Sequence, residues 1–309
     1  MIVYLLSYIM PLLRPRGSIH AKITIHFLSI EENPLDWGFS CFLWYNRKVM
    51  IRSNLFKFAF FPKYELDIKS LAETLVDTEP WDFSDSSYKS NAILKNYLEY
   101  CFRRLKEEKK IHYTQDNEYC IFNTGLVTSN QEDIFAFFQR NHSSTPNCSP
   151  YYFKGFLKHS DPILLGKFGD SLPEPANFFE KPELLLLNPK YSIVPDIEHI
   201  ISDNKHRFPT QLQNADDAEL RRQLKGAIDD VTKKVRTNYK IAIPQYYDGK
   251  VQLLLPLCLT SGSPNPDLAL VISKVPNQDI YSAKTCLTLK MAYNNARLIV
   301  KPQSEWLKP

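Results

Sequence analysis

The chain has 309 residues, 44% of them hydrophobic, and carries 38 basic against 34 acidic side chains for a net charge of +4. Such a composition excludes wholesale disorder, suits about two domains at a usual ~150 residues each, and makes local charge patches more telling than the modest total. Nine glycines, none spaced as G-x-G-x-x-G or G-x-x-x-x-G-K-[ST], disfavour a dinucleotide-binding turn and a P-loop, which need glycine where backbone meets phosphate.

In chain order, Met1–Leu13 is strongly apolar but too short for a membrane helix, which needs roughly 20 residues. Arg14 and Arg16 follow this stretch rather than precede it, which argues against a secretory signal. We read residues 1–56 as irregular chain or a non-native extension. No later segment is apolar enough to span a bilayer.

From Phe58 onward the periodicity becomes clear. Leu71 and Leu75 mark a short helix over Asp67–Val76. Asn91 is placed to cap a longer helix reaching about Glu108, with Leu94, Tyr97, Leu98, Cys101 and Leu105 on its apolar stripe. Ile111–Thr114 and Tyr119–Asn123, joined by a polar turn, read as a hairpin. Helix, helix and two-stranded wing is the order of a winged helix-turn-helix, so residues 57–141 are expected to form a winged-helix-like domain. The outer face of the longer helix carries Lys95, Arg103, Arg104, Lys106, Lys109 and Lys110 against Glu99, Glu107 and Glu108. That is either a solvated face or a surface for phosphate, with Arg103, Arg104 and Lys106 the candidate contacts.

The Ser/Pro-rich stretch 142–150 (HSSTPNCSP) reads as a connection, and residues 151–309 as an α+β domain. Its first part, 160–195, is rich in proline and reads as a long ordered loop. Asn214, Asp216 and Asp217 open a helix whose stripe is Leu220, Leu224, Ala227, Val231 and Val235. Lys240–Tyr247 and Val251–Leu259 flank Asp248-Gly249, the strongest short-range hairpin signal. Asp267–Lys274 and Ile280–Lys290 add two strands, and Met291–Val300 reads as a short closing helix. The whole is α+β: a winged-helix-like domain followed by an antiparallel meander packed on a helix. No internal repeat of fixed period is found.

Several constellations offer chemistry. On the helix-like run Asp196–Phe208, Asp196, His199, Asp203 and either His206 or Arg207 share one face, so His199 beside Asp203 is a candidate general base, though an exposed polar face has the same spacing. Arg236, Lys240, Gln245 and Tyr246 interleave basic and polar groups with aromatic ones near a helix-to-strand junction, which suits phosphate and base stacking. Tyr246 and Tyr247 alternate, so only one of them is expected to stack. Asn294, Asn295 and Arg297 offer two-pronged hydrogen bonding to a base edge or phosphate, or simply a helix end. Lys154, beside Gly155, is a weaker anion candidate. No C-x-x-C or H-E-x-x-H pattern points to a metal, and no cofactor is specified. The six cysteines, Cys41, Cys101, Cys120, Cys148, Cys258 and Cys286, read as reduced thiols of a cytoplasmic protein.

FNTGL at 122–126, YFKGF at 152–156, NYKIAIPQYY and VQLLLPLCL within 238–259, and LTLKMAYNNARLI at 287–299 resemble a family known only as domain of unknown function thirty-eight twenty-five. The resemblance runs from about Phe58 to Leu307. It brings no catalytic residues. Members joined to cold-shock-type or other RNA-binding modules imply an RNA setting by association. Lys290 stands where the family pattern has an acidic residue, so any metal role of that acid would not carry over.

Three functions follow as expectations. The first is an RNA- or nucleic-acid-associated protein whose winged-helix-like domain delivers substrate to the carboxyl-terminal domain. The second is a phosphate-processing enzyme acting on nucleotide or RNA, with His199 as acid/base, oriented by Asp203, and with Lys240 and Arg297 stabilising charge. The third is a non-catalytic module sensing a small ligand. The second requires His199, Lys240 and Arg297 to share one cleft.

Overall fold

The computed structural model describes residues 54–77, 79–83, 90–143, 148–260, 265–302 and 306–308, all within the compact unit Lys48–Pro309. The reading of residues 1–56 as irregular chain or a non-native extension falls, up to residue 53, outside the described residues, and residues 54–56 belong to a short helix. The fold is α+β, as composition and patterning predict.

Two five-stranded sheets organise the chain. The first contains β1 (Ala59–Phe60), β2 (His112–Tyr113), β3 (Tyr119–Val127), β4 (Asp133–Arg140) and β5 (Tyr151–Lys158), in the order β1-β5-β4-β3-β2. The second contains β6 (Ser192–Pro195), β7 (Ile243–Tyr247), β8 (Lys250–Leu257), β9 (Leu268–Lys274) and β10 (Ile280–Leu287), in the order β6-β10-β9-β8-β7. In each, four strands form an antiparallel meander, and a short strand from earlier in the chain pairs in parallel with the last of them. In each, a long helix lies between the short strand and the meander: α3 (Ala92–Glu107) in the first and α7 (Asp217–Thr237) in the second. The same topology therefore occurs twice, although no sequence repeat marks it. Topology needs only a matching order of apolar runs and turns, not matching residues.

The expected hairpin at 111–123 is present as β2 and β3, and it continues through β4 and β5 into the first sheet. The early helix begins at Tyr64 as α2 (Tyr64–Ser70), after α1 (Asn54–Phe58), and runs into a π turn at Leu71–Leu75. The expected cap of α3 is replaced: Asn91 takes a left-handed conformation with φ of 52°. The Asp82 carboxylate instead accepts from the Asn91 and Ala92 amides at 2.8 and 3.3 Å. Asp216, not Asn214, caps α7 by accepting from the Ala218 amide. The chain is completed by α4 (Pro162–Phe168), α5 (Ile197–Asn204), α6 (Thr210–Gln213) and α8 (Leu289–Ala296).

Strand alternation sorts the second sheet's side chains onto two faces. Leu253, Leu255, Leu257, Leu270 and Ile272 meet Ile200 and Ile201 of α5 and the α7 stripe. Leu254, Ala269 and Val271 meet Ala292, Tyr293 and Ala296 of α8, together with Leu94, Tyr97, Leu98 and Cys101 of α3. The opposite flank of α3 contributes Phe102 and Leu105 to an aromatic core with Phe122, Phe138 and Phe153 of the first sheet. So α3 is a shared middle layer, buried against both halves, whereas α7 buries a single stripe.

The FNTGL motif is a bulge in β3, where pairing with β4 skips between Asn123 and Val127. Gly125 has φ of +71°, and a Cβ there would meet the Tyr97 hydroxyl at 2.7 Å. Glycine is required twice over, by conformation and by space. Among the described residues, no helix is long and apolar enough to cross a membrane.

Candidate functional site

Asp248 and Gly249 have φ of 48° and 76°, and Tyr247 pairs with Lys250, so a two-residue turn closes the β7–β8 hairpin. This turn lies beside the last turns of α3. Tyr100, Arg103, Arg104 and Glu107 sit at helical spacings of three and four and so share one flank of that helix. Together with Tyr246, Tyr247, Asp248, Gly249 and Phe178 they line a groove of about 230 Å³.

The two groove arginines differ in what they have left to give. The Arg104 guanidinium ion-pairs with Glu108 at 2.7 Å, Glu180 at 3.2 Å and Glu107 at 3.4 Å. It also donates to the Asn177 carbonyl at 2.9 Å and lies 5.8 Å from the Tyr246 ring centre. Burial alone would lower its pKa, but Tyr246, Glu108 and Glu107 outweigh that and raise it. Arg104 is thus a structural cation with its donors committed. Arg103 is exposed, and its guanidinium lies 5.1 Å from the Tyr100 ring centre. Among the described residues no carboxylate pairs with it. Phe178 is buried at the back and meets Tyr246 edge-on at 5.0 Å. Burial raises the Tyr246 pKa, opposed by Arg104, so the phenol stays neutral. Tyr247 is 54% exposed. Both tyrosines therefore line the groove, Tyr246 as a packed wall and Tyr247 as an open one.

The remaining basic residues of α3 divide likewise. Lys95 pairs with Glu65 at 2.6 Å, and Lys110, just past the helix, pairs with Glu108 at 3.1 Å. Glu99 caps α1 by accepting from the Asn54 and Leu55 amides. Lys106 and Lys109 are exposed. Much of the charge read as a solvated or phosphate-facing surface is therefore already used within the fold.

His199, Lys240 and Arg297 do not share a cleft. His199 is on the exposed side of α5, with Asp203 at 3.5 Å, over one face of the second sheet. Arg297 follows α8, which packs on the opposite face. It forms a two-pronged pair with Glu79 at 2.5 and 2.9 Å, between Trp81 and Tyr97 at 5.1 and 4.8 Å from their ring centres. Glu79 and Arg297 side chains are only 5% and 14% exposed. Burial works against the Arg297 charge, but the Glu79 hydrogen bond and charge outweigh it and raise its pKa. Lys240 is exposed on a short turn, Tyr239–Ile241, between α7 and β7. Helical spacing does not show the sheet that separates α5 from α8, which is why His199 and Arg297 fall on opposite faces of it.

Other predicted contacts also serve the fold. Arg207 donates to the Cys286 carbonyl at 2.7 Å. Asn204 accepts from Thr285 and the Cys286 amide, at the irregularity in β10. Asn295 donates to Gln245, Gln245 to Gln252, and Gln252 to Ser273, forming a polar row beneath α8. Asn294 is partly buried on α8, and Lys154 and Arg236 are exposed away from the groove-lining set. Among the described residues, no group of three or more His, Cys, Asp or Glu is placed to hold a metal ion.

The predicted contacts that do come together are Arg103, Arg104 and Tyr246, from segments about 140 positions apart in a chain of 309 residues. Tyr100, Glu107, Tyr247 and Asp248 join them. Tyr100 and Glu107 could have been found by extending the helical spacing from Arg103. Phe178 carried no signal, because its proline-rich loop has no period.

The family model described as Domain of unknown function (DUF3825) matches residues 72–306. The chain belongs to that family. No curated protein matches it, and no solved structure does.

Proposed function

We propose that the protein is an RNA-associated module that takes single-stranded RNA at the groove between α3 and the β7–β8 turn. The observation that carries this reading is the joint lining of one groove by an unpaired arginine on a tyrosine ring, Arg103 on Tyr100, and by the exposed Tyr247. A base gains about 1–3 kcal/mol by stacking on an aromatic ring, and arginine adds a planar cation for base or phosphate. Exposed Lys106 and Lys109, farther along from Arg103, offer further positive charge for the backbone. RNA rather than DNA follows from the setting of the family resemblance.

The test is fluorescence anisotropy of a labelled 20-mer RNA with the full chain. Two or three phosphate contacts predict a loss of affinity of roughly ten- to fortyfold from 50 to 300 mM salt. The R103A/Y247A variant is expected to bind at least about tenfold more weakly while unfolding at the same denaturant midpoint. Affinity that is weak and flat with salt, or unchanged in that variant, overturns the reading.

A further inference from the structure

The groove is not simply basic. Arg103 and Arg104 face Glu107 and Asp248 within it, and Glu108 and Glu180 also pair with Arg104. Within the lining two cations stand against two carboxylates, and Glu108 and Glu180 already hold Arg104, so the groove itself exerts little net pull on phosphate. What such a place accepts is a flat ring with N–H donors on its edge. Glu107 stands one helical turn beyond Arg103, and Asp248 is at the tip of the turn across the groove. Both are exposed, and an ionised carboxylate only accepts hydrogen bonds.

The four bases differ sharply against such a lining. Guanine presents two adjacent donors on its pairing edge, N1–H and the N2 amino group. Adenine and cytosine each present one amino group beside a ring nitrogen acceptor. Uracil presents N3–H between two carbonyl oxygens, which would face carboxylate oxygens with no shared proton. An acceptor left unpaired when water is displaced costs free energy, so the mismatch is felt in affinity.

We infer that the groove selects guanine, with the ring stacked on Tyr247 or Arg103 and its donor edge read by Glu107 and Asp248. This rests on the proposed binding of single-stranded RNA. Phosphates then lie outside the groove, toward Lys106 and Lys109. The carboxylates supply discrimination rather than gross affinity.

The test compares the full chain's affinity for a ten-residue oligouridine with that for the same strand bearing one central guanosine, inosine, adenosine or cytidine. The guanosine strand is expected to bind about tenfold more tightly than oligouridine, in the range of a specific two-pronged base contact. Inosine, lacking the N2 amino group, should lose a few-fold of that gain. In the E107Q/D248N variant the guanosine preference should fall below roughly threefold, while oligouridine binds as well or better. Asparagine tolerates the left-handed turn position, so the hairpin is preserved. Equal binding of all strands, or a preference that persists in the variant, overturns the inference and leaves RNA association intact. Failure of every strand to bind overturns the association as well.

Discussion

Strand, long helix and four-stranded meander occur twice in this chain, yet the two long helices have different fates. In the second half, α7 covers its own sheet with Leu220, Leu224, Ile228, Val231 and Val235 and leaves the rest of its surface to solvent. In the first half, α3 is gripped from two sides, by its own sheet through Phe102 and Leu105 and by the second half through Leu94, Tyr97 and Cys101. A helix with two buried flanks has little free surface, so its polar residues must be committed or functional. That is why Glu99, Arg104 and Glu108 are tied to neighbouring segments, while Arg103 is left at the groove. The lysines of α7 sit on an open face and carry no comparable constraint.

The difference can be broken hardest at the interface that α3 shares with α8. Arg297→Ala would leave Glu79 buried without its partner and is expected to cost about 3–5 kcal/mol, read from chemical unfolding. Adding Glu79→Gln should recover part of that loss, because the orphaned charge is then gone. A cost below about 1 kcal/mol would mean that this interface is not what holds α3 in the middle.

Two glycines sharpen the same contrast with opposite signs. Gly125→Ala places a methyl group against the Tyr97 hydroxyl in a left-handed backbone position, and a loss of about 1–3 kcal/mol is expected. In a Tyr97→Phe background the steric part of that loss should shrink, while the backbone part remains. Gly226→Ala, exposed inside α7 with open space at its Cβ, should instead stabilise by about 0.5–1 kcal/mol. Thermal or urea unfolding of the two variants side by side gives both signs. A gain at Gly125, or a loss at Gly226, would reverse the assignment of tight and open helix faces.

What could be read from the residues alone was local. Asp248-Gly249 announces its turn because few residues accept positive φ in succession, and the leucine spacing of α7 announces one buried stripe. The α+β class follows from those periods, and the stretches at 122–126 and 287–299 lie within the residues that the family model matches. Even so, packing claims residues whose type suggests chemistry: Arg297, within the second of these stretches, is an anion-binding candidate by type, and a buried structural cation by position. Its partner, Glu79, lies 218 residues earlier in the chain. Only the tertiary structure could decide that, and only it could bring Tyr100 and Arg103 to Tyr247 while setting His199 and Arg297 on opposite faces of a sheet. Periodicity reports which side of an element is buried. It does not report what buries it, and the charge left over at a surface depends on that second fact.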